Sequence, residues 1–355
     1  MTSAVLVLKT IGLDRCRSGA TSLRLALTRS TRGAPRAPVI SVAAGPYEAG
    51  GITDFPRNGG RGRFASMKRI ILGDNADVLP TLPSKFARLI YVDPPFNTGR
   101  VQKRDRITVA ATGAAGDRGG FGGRRYAVER VEPSAAYDDR FDDFEAFLMP
   151  RIEASLRCLT DDGSLFVHLD AREVHYVKVA LDRLLGRDHF MNEIIWAYDY
   201  GGRPKNRWPA KHDTILWYVR DPSAYVFNFE EMDRIPYMAP GLVSKEKAER
   251  GKTPTDVWWH TIVPTNGHEK TGYPTQKPLG VLNRVIKVHS RPGDVVLDFF
   301  GGSGTTGEAA AAHGRGFVLI DNHLDAVKIA ATRLAAFAPE CSGFSMEQPR
   351  QATLF

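Results

Sequence analysis

The chain contains 355 residues, of which 43% are hydrophobic and 25% are charged, a composition typical of a globular protein with one large α/β domain or two smaller ones. No uninterrupted apolar run approaches the ~18 residues needed to span a membrane, and the three cysteines (Cys16, Cys158 and Cys341) form no CxxC pair, which argues against a zinc knuckle or a disulfide framework. The net charge is +8, which favours a polyanionic partner because basic side chains near phosphates release counterions.

Residues 1–66 show no sustained period of 2 or 3.6 and contain many Arg, Ser, Gly and Ala residues but few acids. The stretch "RNGGRGRFAS" is typical of a flexible basic tether, and "AVLVLKTIGL" is a poor signal-peptide core because Lys9 interrupts it. We therefore predict a basic, disordered extension over 1–66. Because "MKRIILGD" reads at once as the start of a strand, a second hypothesis is that Met67 is the working start.

From Met67 the sequence alternates between strands and helices. The apolar runs "RIILGD" and "ARLIYV" are typical of strands buried on both faces, and "ADVLPTLPSKF" between them predicts a brief helix. Residues 100–136 are rich in Gly, Ala and Arg, which predicts a mobile loop. Beyond it we predict the helix "DDFEAFLMPRIEASLRCL", the strand "GSLFVHLD", the helix "AREVHYVKVALDRLLG" with a C-cap at Gly186, and the strands "NEIIWAYDY" and "DTILWYV".

The alternation of strands and helices is interrupted over residues 221–265 and then resumes. After that irregular stretch we predict the helix "LGVLNRVIKVHS", the strand "DVVLDFF", the helix "TGEAAAAHG", the strand "RGFVLID" and the helix "LDAVKIAATRLAAF". Strands that alternate with helices in this way predict an α/β fold with a doubly wound, mostly parallel sheet.

A glycine-rich turn between a predicted strand and a predicted helix indicates a nucleotide site. Gly302, Gly304 and Gly307 spell GxGxxG, and Asp321 ends the following strand, 23 residues after Asp298. Such glycines let the backbone approach a ligand, and the acid accepts both ribose hydroxyls. The pattern is compatible with NAD or with S-adenosylmethionine. A carboxylate at Asp298 favours the latter, because it would repel a pyrophosphate but attract an ammonium group.

Four motifs occur in a fixed order: "DPPFNTG" at 93–99, "YPTQKP" at 273–278, "VLDFFGGSGTT" at 296–306 and "FVLIDN" at 317–322. Together they resemble the amino-methyltransferases of DNA of the β arrangement, in which the target-amine motif precedes the cofactor motif. The stretch from "GSLFVHLD" to "MNEIIW" also resembles modification subunits of Type III restriction systems. The resemblance covers roughly 67–336. It implies a Rossmann-like sheet of seven strands with an inserted target-recognition module, S-adenosylmethionine as cofactor and a cytoplasmic location.

The resemblance assigns catalysis to Asp93, Pro94, Pro95 and Phe96. The acid and the carbonyl of Pro94 would hold the two hydrogens of an exocyclic amine. The two prolines preset the backbone and remove N–H donors, and the ring of Phe96 offers a stacking face for an extruded base. A simple turn at the end of a strand is the plainer interpretation of this motif, since Asp and Pro favour turns.

The resemblance also implies a set of cofactor-binding residues, in which Lys277 would lie near the cofactor carboxylate and Asp74 near the adenine. For Lys277 a surface turn stays open as an alternative, and for Asp74 an N-cap is an equally good role. Which of Phe299 and Phe300 faces the ligand is left open as well. The full set is Asp74, Lys277, Asp298, Phe299, Phe300, Gly302, Ser303, Gly304, Thr305 and Asp321.

We divide the chain into an extension (1–66), a catalytic half (67–198), a target-recognition module (199–265), a cofactor-binding half (266–338) and a tail (339–355). The module interleaves basic and aromatic residues that could contact phosphates and bases, although a solvated loop is the alternative. Trp258 and Trp259 are interpreted as its small core. The candidate DNA-binding residues are Arg203, Lys205, Arg207, Trp208 and Lys211.

The favoured function is transfer of a methyl group to N6 of adenine in double-stranded DNA. Cytosine C5 chemistry is disfavoured because no cysteine follows a proline, whereas cytosine N4 chemistry is disfavoured only because those enzymes usually carry Ser where Asp93 stands. Three further functions stay open: an RNA or protein amide methyltransferase, an NAD-dependent oxidoreductase and a catalytically silent DNA-binding protein. A homodimer and a cognate restriction endonuclease are candidate partners; we expect no metal and no membrane association.

Overall fold

The fold is given by a computed structural model that describes residues 67–111, 118–119, 125–264, 267 and 269–346, with the backbone alone between 100 and 138. The extension predicted for 1–66 lies outside the described residues. The described part contains the following strands and helices: β1 (Lys68–Leu72), α1 (Asn75–Val78), β2 (Ala87–Val92), β3 (Arg100–Ala111), β4 (Arg118–Gly119), β5 (Arg125–Asp139), α2 (Phe144–Leu156), β6 (Leu159–Leu169), α3 (Val174–Leu185), β7 (Phe190–Ala197), β8 (His212–Val219), α4 (Lys245–Arg250), β9 (Val257–Trp259), α5 (Leu279–His289), β10 (Val295–Asp298), α6 (Thr305–Ala312), β11 (Gly316–Asp321), α7 (Leu324–Arg333) and β12 (Glu340–Ser342).

The main sheet has nine strands in the described part of the chain, in the order β12-β1-β11-β10-β2-β6-β8-β7-β9. Strand β8 runs antiparallel to both of its neighbours, and the remaining neighbours are parallel. The seven strands from β1 to β7 in this order form the predicted mostly parallel sheet, which is confirmed. Short strands β12 and β9 extend it by one strand at each edge.

Helices cover both faces of the sheet, which explains why the sequence of strand β2 is almost entirely apolar apart from Arg88. Ile90 and Val92 belong to a core cluster that includes residues of α2 and α3. Leu89 and Tyr91 belong to a second cluster that includes residues of α5, α6 and α7. Because successive side chains of a strand point to opposite faces, a strand covered on both sides needs apolar residues at nearly every position.

The prediction of a mobile loop over 100–136 is wrong for the described part of that stretch. Strands β3 and β5 pair antiparallel, with Arg100 opposite Asp139 and Ala111 opposite Tyr126, and β4 pairs with β5. The segments "DRITVAA" and "RYAVERV" carry β-branched and aromatic residues that favour strands. The abundance of glycine between them masks this pattern in the sequence.

Two of the predicted segment boundaries also need correction. Strand β8 falls inside 199–265, yet it pairs with β6 in the middle of the main sheet, so this stretch is not one inserted module. Strand β12 falls inside the predicted tail 339–355, yet it pairs with β1 at the sheet edge. Within 199–265, the described segments 199–211, 220–256 and 260–264 lie outside the sheet, and the short strand β9 pairs at its edge.

Strand direction brings distant loops to one edge of the sheet. The carboxyl ends of β1, β2, β10 and β11 lie at the same edge because these strands are parallel. Strand β7 is parallel to β6, since both are antiparallel to β8, and β9 is parallel to β7. The loops after β7 and β9 therefore open at the same edge as the loops after β2 and β10.

Candidate active site

A cleft of about 410 Å³ lies at this edge. It joins the turn after β2 with the glycine loop after β10, two stretches about 200 residues apart in the chain. Gly304 is not among the lining residues. The predicted site residues that do line it are Asp74, Asp93, Pro94, Pro95, Phe96, Lys277, Asp298, Phe299, Phe300, Gly302, Ser303, Thr305 and Asp321.

Hydrogen bonds fasten the turn that carries the catalytic candidates. Asn97 adopts a left-handed conformation (φ 53°), which Asn tolerates better than most residues. Its backbone N–H donates to Oδ1 of Asp139 (2.7 Å), its side-chain amide donates to Glu173 (2.8 Å), and its side-chain oxygen accepts from the N–H of Phe141 (2.9 Å). The turn is thus tied to the end of β5 and the start of α3, and none of these three partners was predicted from the sequence.

Lys277 lies against the catalytic candidates. Its Nζ is 2.9 Å from Oδ1 of Asp93, and both side chains are largely removed from solvent. The same nitrogen lies 4.4 Å from the centroid of the Phe96 ring. The resemblance implied a contact with the cofactor carboxylate, whereas here the ammonium group covers the ring on which a base would stack.

The glycine loop is shaped by its own backbone and by Asp321. Gly302 and Gly304 both have positive φ values (48° and 77°), a region that glycine enters without strain. The Asp321 carboxylate accepts the N–H of Gly302 (2.8 Å) at Oδ2 and the N–H of His323 (2.9 Å) at Oδ1. The predicted ribose-binding acid therefore also holds the loop in place.

Asp298 is a deeply buried acid of the cleft, with 3% of its surface exposed. Burial raises the pKa of its carboxyl to about 7, hydrogen bonds from the Thr306 hydroxyl and the Phe300 N–H act to lower it, and the charges of Asp93 and Asp321 raise it further. The hydrogen bonds measure 2.6 Å and 3.0 Å. Because Asp93 and Asp298 both line this cleft, the two predicted strand tips meet there.

We expect Asp298→Asn to stabilise the protein in a pH-dependent way. Between the ordinary Asp pKa of 3.8 and the folded-state value of about 7, the folded state holds a proton that the unfolded state has lost. Wild-type stability then falls as pH rises, by at most ~1.4 kcal/mol per pH unit, and levels off above 7. The asparagine does not titrate, so its advantage in urea unfolding should grow from pH 4 to 7 and then stay constant.

The exposed pair of Lys85 and Asp161 provides the control for this measurement. Asp161→Asn should change stability by less than about 0.5 kcal/mol at every pH, because exposed ion pairs contribute little. A stability difference for Asp298→Asn that is the same at pH 5 and pH 8 would contradict the raised pKa of Asp298.

At the other end of the cleft, Asp74 caps α1 by accepting the N–H of Ala76 (2.8 Å), which is the alternative role proposed for it. The next residue, Asn75, donates to the carbonyl of Phe299 (2.7 Å) and accepts from Arg151 (2.6 Å). Asn75 and Arg151 line the cleft but were missed, because only contacts between distant segments reveal them.

The two phenylalanines after β10 divide their roles. Phe299 is fully buried in the core. Phe300 is partly exposed and lies 6.0 Å from the ring of Phe147, which also lines the cleft. Phe300 is therefore the more exposed of the two rings, and Phe299 packs into the core at the strand tip.

The five candidate DNA-binding residues follow β7, at the edge where the cleft opens. Arg203 forms an exposed ion pair with Asp199 (2.6 Å), and Lys211 donates to the carbonyls of Tyr200 and Gly201 (2.5 and 2.9 Å). Lys205, Arg207 and Trp208 are exposed, and 94% of the surface of Trp208 is accessible. Lys211 thus closes its own loop, whereas the other side chains point to solvent.

The two tryptophans of β9 also differ in their exposure to solvent. Trp258 is partly buried and donates its Nε1–H to the carbonyl of Thr255 (3.0 Å). Trp259 has 73% of its surface exposed, so the prediction of a core role is wrong for this residue. Trp259 ends a strand whose carboxyl end faces the same edge as the cleft.

Together, the doubly wound sheet and a cleft that pairs a glycine loop with an acid-proline turn define the class of Rossmann-like methyltransferases. Comparison with known proteins gives the family. A family model for DNA methylases (N6_N4_Mtase) matches residues 87–332, more than half of the chain. The protein belongs to this family of DNA methyltransferases, whose members use S-adenosylmethionine.

The chain is also similar to individual known proteins. The DNA adenine methyltransferase YhdJ of Escherichia coli (strain K12) is 29% identical over 278 residues, which cover 75% of this chain and 82% of that protein. The PvuII DNA methyltransferase, described as cytosine-N4-specific, has a TM-score of 0.51 at 15% identity and covers 78% of this chain and 96% of that one. The M1.HpyAVI–SAM complex has a TM-score of 0.48 at 21% identity, and the match covers 76% of this chain and 99% of that one.

No helix in the part of the chain that the structure describes is both long and apolar enough to cross a membrane. Within the same residues, no group of three or more His, Cys, Asp or Glu side chains could hold a metal ion.

Proposed function

We propose that the protein methylates the exocyclic N6 amine of adenine in double-stranded DNA. The observation that carries this proposal is the position of Asp93. It directly precedes Pro94 and lines the same cleft as Asp298, and its charge raises the pKa of Asp298. A carboxylate, and not a serine, at this place favours adenine over cytosine. The relative named as a DNA adenine methyltransferase supports the same target.

The residues of the cleft fit the cofactor that the family uses. Its volume of about 410 Å³ falls within the range of roughly 300–1,000 Å³ typical of small-molecule sites. Asp298 would hold the ammonium group, Asp321 would accept the ribose hydroxyls, and the N-terminus of α6 after Gly304 would favour the carboxylate. Phe300 and Asp74 would contact the adenine.

The chain's own residues prepare the amine for transfer. S-adenosylmethionine supplies an electrophilic methyl group when bound. Asp93 accepts one amine hydrogen and the carbonyl of Pro94 accepts the other, which draws the nitrogen lone pair out of conjugation with the ring. The Phe96 ring stacks on the extruded base, worth roughly 1–3 kcal/mol. Transfer would form the carbon–nitrogen bond and break the bond between the methyl carbon and the sulfonium sulfur, whose electron pair would leave with the thioether product. The nitrogen then loses a proton that Asp93 is placed to receive.

Alignment is the main contribution of this site, because a well-oriented pair of reactants reacts as if in one molecule. The ammonium group of Lys277 covers the Phe96 ring, so Lys277 has to move before a base can stack there. In this mechanism the cleft provides two hydrogen-bond acceptors for the amine, the Asp93 carboxylate and the Pro94 carbonyl, and it does not provide a nucleophile.

Nucleoside analysis tests the target. Purified protein, S-adenosylmethionine carrying a labelled methyl group and duplex DNA of mixed sequence should yield labelled N6-methyladenine after digestion to nucleosides. Label in N4-methylcytosine would contradict the proposal and support cytosine N4 methylation instead. The PvuII enzyme, described as cytosine-N4-specific, has a similar fold. Label appearing only with RNA or with protein substrates would contradict DNA as the substrate. Sequencing of the modified duplex would give the recognition site.

We further propose that the loops after β7 and β9 contact DNA. Lys205 and Arg207 are exposed, and neither forms an ion pair within the described residues. Two exposed aromatic rings, those of Trp208 and Trp259, belong to segments at the same edge of the sheet, where the cleft opens. Basic groups of this kind position a duplex through its phosphates, and aromatic rings contact bases.

We expect the double variant Lys205→Ala, Arg207→Ala to weaken DNA binding and to lower its salt dependence. Each lost phosphate contact removes about 0.9 from the slope of log affinity against log salt, so the slope should fall by about 2. Fluorescence anisotropy of a labelled duplex at several salt concentrations measures both quantities. The affinity for S-adenosylmethionine should stay the same.

The control removes two exposed basic residues at the opposite edge of the sheet, Lys85 before β2 and Arg187 after α3. Lys85→Ala, Arg187→Ala lowers the net charge equally but should leave the salt slope within about 0.5 of wild type. Equal slopes for the two double variants would contradict the assignment of these loops to DNA.

The proposal also includes two partners and a cellular location. A homodimer and a cognate restriction endonuclease are proposals that analytical ultracentrifugation and co-purification would test. A monomer at all concentrations would remove the first, and full activity without any co-purifying nuclease would remove the second. An enzyme of bacterial chromosomal DNA would work in the cytoplasm, where that DNA lies.

A further inference from the structure

A chain of buried polar groups lies behind the catalytic turn. The Tyr91 hydroxyl is 2.6 Å from Nδ1 of His168, Nε2 of His168 is 3.2 Å from Oδ2 of Asp213, and the Tyr198 hydroxyl donates to Oδ1 of Asp213 (3.0 Å). Tyr91 lies two positions before Asp93, on the strand that ends in the catalytic turn, and it lines the cleft. The imidazole is fully buried.

The hydrogen positions in this chain follow from what each group can donate. Burial raises the pKa of the Tyr91 phenol well above its usual value, so the hydroxyl keeps its proton. Burial acts to raise the pKa of Asp213, but the hydrogen bonds from His168 and Tyr198 and the charge of Lys277 lower it, so this carboxylate only accepts. Nε2 of His168 therefore carries the hydrogen, and Nδ1 accepts from Tyr91. This assignment satisfies every donor and fixes the imidazole in one orientation.

The fixed imidazole lies against the ring proposed to receive the base. The ring centroids of His168 and Phe96 are 5.9 Å apart with an angle of 37°. Trp196 packs its ring against His168 from another direction, at 5.5 Å and 85°, and is itself held by a hydrogen bond to the carbonyl of His260 (2.7 Å). A rotation of the imidazole would therefore change the support under Phe96.

The far end of the chain reaches the segment assigned to DNA. Tyr198 precedes residues 199–211, and its backbone N–H donates to the carbonyl of Lys211 (2.9 Å). Asp213 follows that segment by two residues on β8. Both ends of the DNA-facing loop are thus bonded to the same polar chain that supports Phe96.

We propose that Tyr91, His168, Asp213 and Tyr198 form a positioning network that fixes the Phe96 ring for the extruded base and joins this ring to the DNA-facing loop 199–211. The inference rests on the proposed function, because it assigns the network a role in capture of the base. These residues do not touch the reacting atoms; they act through Phe96. None of the four was a predicted site residue, and three of them lie on strands whose sequences read as ordinary core.

The test uses a double-mutant cycle on two residues that do not contact each other. Tyr91→Phe removes one hydroxyl, and Asp213→Asn introduces an amide donor that opposes the Nε2–H and so disturbs the tautomer. A duplex with 2-aminopurine at the methylated adenine reports base extrusion by fluorescence. Each single variant should weaken capture of the extruded base about tenfold, and the double variant should lose no more than either single, because each breaks the same chain. The affinity of Asp213→Asn for S-adenosylmethionine should stay unchanged, because Asp213 is not among the residues that line the cleft.

Tyr218→Phe provides the matched control, since this tyrosine of β8 also donates its hydroxyl to a carboxylate, that of Asp182 (2.8 Å). It should lower thermal stability without changing the 2-aminopurine signal. Losses that add in the double variant, or variants that lose only stability, would overturn the network. A wild-type protein that methylates no adenine would instead overturn the proposed function, so the two failures are distinguishable.

Discussion

Asp93→Ala should reduce methyl transfer by about 10³-fold or more, an effect of the size seen when one preorganised polar group is removed from a reacting centre. The alanine offers no acceptor for the amine hydrogens, so the nitrogen lone pair stays delocalised in the base. Single-turnover assays with a methyl-labelled cofactor would measure the loss. Cofactor affinity, measured by calorimetry, should not fall.

The cofactor measurement carries a further expectation for this variant. The charge of Asp93 contributes to the raised pKa of Asp298, so its removal lets Asp298 ionise at lower pH. If Asp298 holds the ammonium group, the affinity for S-adenosylmethionine near pH 6.5 should be equal to or higher than that of wild type. Exposed Asp161, which pairs with Lys85, gives the control: Asp161→Ala should keep full activity. Substantial methylation by Asp93→Ala would contradict the role of the carboxylate.

Much of the fold could be predicted because its strands are buried on both faces. The run from Ala87 to Val92 is buried at every position, and no surface helix or loop would keep such a sequence out of water. The meeting of Asp93 and Asp298 was also predictable. Parallel strands present their carboxyl ends at one edge, so motifs that each follow a strand converge there.

What escaped prediction depends on contacts between distant segments. Lys277 sits in a motif whose resemblance implied the cofactor carboxylate, but its final partner is Asp93, 184 residues away in sequence. His168 and Asp213 look like ordinary strand residues until antiparallel pairing of β6 and β8 brings them together. The hairpin of β3 and β5 was hidden for another reason, since local composition outweighed a period-2 pattern.

Gly304→Ala should lower both stability and cofactor affinity, and the structure gives a different reason from the sequence motif. The glycine does not line the cleft; a Cβ there would lie 2.9 Å from Cβ of Ala330 and 3.3 Å from Leu334. The loop and the start of α6 would have to shift away from α7. We expect a loss of about 2–4 kcal/mol in urea unfolding and a drop of at least about tenfold in affinity for S-adenosylmethionine.

Gly314→Ala separates the collision from the backbone conformation. Gly314 has nearly the same φ as Gly304 (73° against 77°), but the atom nearest to its Cβ would be in Pro292 at an ordinary 3.9 Å. Alanine at 314 should therefore cost only the left-handed strain, about 1 kcal/mol, with unchanged cofactor affinity. Equal losses of stability in the two alanine variants, with no loss of affinity for S-adenosylmethionine in either, would contradict this explanation. The packing of the loop on α7 would then not determine the shape of the cofactor site. A loss of affinity at 304 alone, measured at a temperature where that variant is fully folded, would show that this glycine of the motif acts by fixing the loop, because its own atoms do not reach the cleft.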